Sequence, residues 1–157
     1  MNKHIIAFVT SIMVFFAFLP YLKAEEIGAV STTFRLIGRN DQIVVDAFDD
    51  PRVSGVACHV SRARTGGLMG SVGLAEDVAR QSIACRQVGP ITADISTLPP
   101  NEEVFRQSTS ILFKKVRVVR MIDKKRNTIV YLIYSDRLID GSPENSISTV
   151  PIMPWRQ

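Results

Sequence analysis

A chain of 157 residues, 46% of them apolar, has the size and make-up of one folded domain with its own core. Nineteen basic and 15 acidic side chains give +4, but without the two lysines of the first 24 residues the balance is 17 against 15, or +2. So even a balance excludes an argument for nucleic acid from charge, and no segment reaches the 18 unbroken apolar residues of a membrane-spanning helix.

Taken in chain order, residues 1–24 form an export signal. Lys3 is the positive start, Ile5 to Leu19 the apolar stretch, and Leu22-Lys23-Ala24 ends on a small residue suited to cleavage. The expected mature chain is a single periplasmic domain, 25–157, and the signal holds no cysteine for a lipid anchor. Period-two apolar runs then predict strands over Val30 to Ile37 and Gln42 to Phe48, joined by the turn Gly38-Arg39-Asn40-Asp41 and stopped by Asp49-Asp50-Pro51. Gly55 to Arg62 alternates Val56, Cys58 and Val60 with Ala57, His59 and Ser61, which turns Cys58 to the core.

A glycine-rich stretch, Thr65 to Gly73, leads into a predicted short helix from Leu74 to Gln81. Ser82 to Val88 resumes strand character with Ile83 and Cys85 facing one way, and Thr92 to Asn101 is a surface crossing. The longest element is a hairpin, Thr109 to Ile122 and Thr128 to Tyr134 around Asp123 to Asn127. In it Lys114, Arg117 and Arg120 interrupt the alternation and suggest a twisted or bulged strand. Ser146 to Val150 is a last strand before an irregular tail. The sum is a mainly β domain, an antiparallel sheet, barrel or sandwich with one short helix.

Cys58 and Cys85 both lie in the exported part, where an oxidising compartment favours pairing and only one connectivity exists. His59 is the one histidine of the mature chain; as a strand neighbour of Cys58 it points the opposite way, so the two cannot converge on zinc. No Ser-x-x-Lys pair occurs, and Gly70-Ser71-Val72-Gly73 lacks the first glycine of a nucleophile elbow. No cofactor and no metal is expected.

Three patterns retain functional interest. Arg62, Arg64, Thr65, Gly66 and Gly67 stand between a strand and a predicted helix, where backbone amides can cradle an anion, although the run has neither a P-loop ending nor dinucleotide spacing. Asp46, Asp49 and Asp50 gather near a turn, which turn-forming side chains explain more simply than a cation does. Lys114, Lys115, Arg117, Arg120, Lys124, Lys125 and Arg126 form a basic surface suited to an anionic envelope component, or an open edge kept soluble by charge.

The strings Ala47-Phe48-Asp49-Asp50-Pro51, Val60-Ser61-Arg62-Ala63-Arg64-Thr65-Gly66-Gly67, Gly73-Leu74-Ala75-Glu76-Asp77 and Gln87-Val88-Gly89-Pro90-Ile91 are recognisable together. With Tyr134-Ser135-Asp136 and the ending Val150-Pro151-Ile152-Met153-Pro154-Trp155-Arg156-Gln157, they resemble the CreA family of bacterial exported proteins. The resemblance runs from Glu25 to the last residue and implies a periplasmic location in a Gram-negative bacterium. It implies no reaction, ligand or catalytic residue. Glu144 stands where the family more usually carries a basic residue.

The expected function is a non-catalytic periplasmic binding or interaction module whose partner is an anionic envelope component or another protein. The alternatives are an envelope enzyme working through carboxylates such as Asp46, Asp49 or Glu76, small-anion binding at the glycine-rich loop, and assembly through an open strand edge.

Overall fold

The computed structural model describes residues 24–67, 80–108, 115–136 and 143–156. Among the described residues eight strands make two antiparallel sheets. The first runs in the order β1 (Glu25–Ser31), β2 (Gln42–Asp49), β3 (Val56–Arg64), β4 (Gln81–Gln87). The second runs β5 (Asn101–Ser108), β6 (Lys115–Asp123), β7 (Thr128–Ser135), β8 (Asn145–Pro151). Every pairing joins sequence neighbours, so each sheet is a meander.

The alternation read from the sequence sets the inner faces. Phe48 of β2, Val56, Cys58 and Val60 of β3, and Ile83 and Cys85 of β4 share one core with Val116 and Val118 of β6 and Ile129, Tyr131 and Ile133 of β7. Phe48 stacks on Phe105 of β5 across the sheets, ring centroids 4.4 Å apart and nearly parallel. Cys58 and Cys85 are direct cross-strand partners, and their sulfurs form a disulfide at 2.06 Å.

Inside this apolar core runs one polar row. The registers place Glu102 opposite Arg120, Arg120 opposite Tyr131, and Tyr131 opposite Ser148, one residue from each strand of the second sheet. The Arg120 and Asp50 side chains are both wholly buried, and Arg120 donates to Asp50 Oδ1 at 2.5 Å and to Glu102. The Tyr131 hydroxyl donates to Asp50 Oδ2 at 2.7 Å, and Ser148 Oγ accepts the Cys85 amide at 2.8 Å. Burial first, then the Asp50 carboxylate, push the Tyr131 phenol far above its usual range, so it remains a donor.

Asp50 reaches this row because it opens the turn between β2 and β3. Its Oδ1 also accepts the amides of Arg52 and Val53, at 2.9 and 3.0 Å, so it is a turn-forming aspartate as expected. Gly55 completes the turn at φ +85°, where an added Cβ would come within 2.6 Å of the Pro90 carbonyl.

Three expectations change, and a fourth lies largely outside the described residues. The first strand is β1, Glu25–Ser31, and residues 32–41 are a loop rather than the end of a strand. Residues 102–108, given no element by the sequence, belong to β5, because a bulge between Glu103 and Phe105 buries the neighbours Val104 and Phe105 and erases the alternation. β6 itself keeps a regular alternation, with Arg120 on the inner face beside Val116 and Val118. Arg120 is therefore no part of a basic surface. The helix expected from Leu74 to Gln81 falls largely outside the described residues, and Gln81 opens β4; a 3₁₀ turn covers Lys124–Arg126.

Two stability outcomes follow from this core. Replacing both cysteines by alanine should cost about 2–4 kcal/mol in urea unfolding, because the bridge closes a 27-residue separation. Asp50→Ala should cost about 3–5 kcal/mol, since it leaves the Arg120 guanidinium buried without one of its two carboxylates. A loss under about 1 kcal/mol for either would contradict the role given to it here.

Candidate anion-binding site

The anion-binding residues expected from the sequence stand at one end of the first sheet, where β2, β3 and β4 carry polar groups in place of core. Asp46 and Arg62 occupy the inner face, offset by one register step, and Arg62 Nε donates to Asp46 Oδ2 at 2.7 Å. Their side chains are only 3% and 10% exposed. Arg64, one step further along the same face, donates to Glu26 of β1 at 2.5 Å and lowers that carboxyl's pKa. Both arginines of the sequence pattern are thus oriented by carboxylates.

The glycines have a structural partner as well. The 32–41 loop folds back on Asp41, whose carboxylate accepts Arg35 Nη2 at 2.8 and 3.0 Å, the Thr33 hydroxyl at 3.0 Å and the Gly66 amide at 2.7 Å. The Gly67 amide donates to the Arg39 carbonyl at 2.6 Å. Gly66 must be glycine, because a Cβ there would lie 2.0 Å from that same carbonyl. So of the two amides read as an anion cradle, that of Gly66 holds a carboxylate of the chain itself and that of Gly67 a backbone carbonyl. Arg35 first, then the Gly66 amide, depress the Asp41 pKa below its usual 3.8.

Around these pairs opens a basin of about 750 Å³. Arg35, Arg62, Arg64, Thr65 and Arg80 line it together with Asp41, while Ile43, Ala63, Ser61 and Ser82 come from the outer face of the sheet, opposite the face of Arg62 and Arg64. The Ser61 and Ser82 hydroxyls are hydrogen-bonded at 2.8 Å. Arg80 is exposed and, among the described residues, makes no ion pair. The structure therefore brings Arg62, Arg64 and Thr65 together, sets Gly66 and Gly67 behind them, and adds Arg35 and Arg80. Sequence reading missed those two because Arg35 lay in an expected strand and Arg80 in an expected helix.

The basic hairpin is dispersed. Arg117 bridges Asp136 and Glu103, Arg126 pairs with Asp123, and Lys124 donates to the Ser96 carbonyl. Lys115 and Lys125 are exposed, Arg120 is interior, and Lys114 lies outside the described residues. Of the carboxylates considered for catalysis, Asp46 is buried against Arg62, whereas Asp49, three residues along the strand, takes the opposite face. Glu76 lies outside the described residues. His59 is exposed on the outer side of β3.

A carboxylate whose pKa is lowered by folding stabilises the fold fully above its unfolded pKa, and that contribution fades as pH falls through the folded value. The thermal midpoint should therefore hold from pH 7 to about pH 5 as far as Asp41 and Glu26 decide it, then decline below about pH 4. Asp41→Asn should lower the midpoint at pH 7 and flatten the acid decline in pH-dependent melting curves. An unchanged acid limb would separate Asp41 from the loop's stability.

The family model described as "CreA protein" matches residues 27–155. "Protein CreA" of Escherichia coli strain K12 is 51% identical over 160 residues, covering 99% of this chain and 98% of its own. The proteins of the same name from Escherichia coli O6:H1 strain CFT073 and Escherichia coli O157:H7 match to the same extent. No solved structure matches. By a family match over nearly its whole length and by this identity, the chain belongs to the CreA family.

Proposed function

We propose that this protein is an exported, non-catalytic binding module that takes a small anionic ligand in the basin at the end of its first sheet. The observation carrying the reading is the set of four guanidiniums lining one basin, three already held in place by carboxylates and Arg80 without an ion pair among the described residues. Arginines fixed in this way lose little conformational freedom when a ligand arrives, and the planar fork suits carboxylate and phosphate groups. The Ser61 and Ser82 hydroxyls add donors that can turn towards a ligand oxygen. Ile43 and Ala63, lining the basin from the outer face with Ser61 and Ser82, offer an apolar patch suited to an anion with a short hydrocarbon body.

A periplasmic setting accords with this reading. The amino-terminal pattern from Lys3 to Ala24 has the form of a cleavable signal, and a cross-strand disulfide suits an oxidising compartment. No membrane-spanning helix is found among the described residues.

Calorimetric titration of the mature chain with inorganic phosphate and with short dicarboxylates tests the site. Arg80→Ala should weaken binding about tenfold or more, as expected for loss of one charge-assisted contact, and added salt should weaken it further. Changing Lys115, Lys124 and Lys125 together to glutamate should leave it unaltered. Binding that ignores Arg80 but disappears with the three lysines would move the ligand to the hairpin and sink the proposal.

A further inference from the structure

The loop 32–41 displays the most exposed large apolar side chains of the described chain. Phe34, Leu36 and Ile37 are 82%, 92% and 73% exposed, and Val30 and Ile43, cross-strand partners at the base of the hairpin, continue the patch. Such a cluster costs solubility and is rare without a surface to cover it. Nor is the loop a slack connection. Asp41 and Asn40 hold Thr33 and Arg35, and Gly66 and Gly67 fasten the far limb, so the three side chains are presented from a hydrogen-bonded frame.

The chemistry around the tip indicates what covers it. Arg35 and Arg39 alternate with the apolar side chains, and Asp41, the one carboxylate of the loop, is neutralised by Arg35. The Arg39 side chain, like Arg80 at the adjoining basin, makes no ion pair among the described residues. Guanidiniums that make no direct ion pair among the described residues, Arg39 feeling Glu26 only at longer range, stand beside protruding apolar groups and match the boundary between anionic headgroups and acyl chains. Between Thr33 and Asn40 the one backbone bridge to another segment, among the described residues, is that of Arg39 with Gly67, so the tip offers no strand ladder for a partner's strand to extend. We propose that loop 32–41 docks this protein on the surface of an anionic bilayer, with Phe34, Leu36 and Ile37 entering the headgroup region and Arg39 and Arg80 facing lipid phosphates.

This goes beyond the basin reading, and the two are tested apart. The mature chain is sedimented with large unilamellar vesicles of three parts phosphatidylethanolamine to one part phosphatidylglycerol, and with vesicles of phosphatidylcholine alone. Binding is expected on the first and at least tenfold weaker on the second. The triple variant Phe34→Ser, Leu36→Ser, Ile37→Ser should lose it by at least tenfold while its phosphate titration, run without vesicles, stays at the parent's value. In a Trp155→Phe background, Leu36→Trp should shift its emission to shorter wavelength when the anionic vesicles are added, which guards against a misfolded triple variant. Equal binding of parent and triple variant, no parental binding to anionic vesicles, or no emission shift overturns the proposal. So does a tip-dependent dimer in sedimentation equilibrium that leaves the vesicles unbound, because the tip would then be seated on a second copy.

Discussion

The structure depends on a carboxylate taken out of water. Asp50 leaves the turn after β2 and enters the space between the sheets, where it meets Arg120 and Tyr131 from the middle strands of the second sheet. Withdrawing such charges from solvent costs several kcal/mol each, and only excellent geometry with nearly complete hydrogen bonding offsets that cost. Asp50 has it: two backbone amides, a guanidinium and a phenol share its two oxygens. Arg120 is less fully matched, with Glu102 as its second acid and its buried Nε without a partner among the described residues. The interaction thus selects one arrangement of two sheets that apolar side chains alone could pack in several ways.

The same polar row explains how both sides of the interface are fixed. At one place Asp50 ties the β2–β3 turn to β6 and β7; at another Ser148 of β8 takes the amide of Cys85 on β4. Cys85 is in turn bonded through sulfur to Cys58 on β3. Apolar burial supplies the driving force, while these directional contacts set the register between layers. Charge is used differently at the far end of the first sheet. There Asp41 and Glu26 hold arginines in place at the partly exposed rim of a basin, while Asp46 holds Arg62 below the surface.

Strands β2, β3, β4, β7 and β8, the inward direction of Cys58 and Cys85, and the turn at Asp49-Asp50-Pro51 were legible in the amino-acid order. These rest on neighbours two or three residues apart, the range over which alternation and turn chemistry act. β5 was not legible, because its bulge sets Val104 and Phe105 on the same buried side. At the start of the glycine segment, read as a backbone able to cradle an anion, the Gly66 amide meets the carboxylate of Asp41, 25 residues earlier. An aspartate that far away looks like any turn residue until the loop folds back.

By itself, then, the order of residues determined a β protein of alternating strands, its single disulfide and its family. Only the tertiary structure decided which charges face solvent. Arg117 and Arg120, three residues apart in one strand, fall on opposite faces: one bridges surface carboxylates and the other is sealed between sheets. A guanidinium's role is fixed by the carboxylate it meets and by the water left around it. Both are set when distant strands come into register, since neither is a property of the arginine or of its neighbours in the chain.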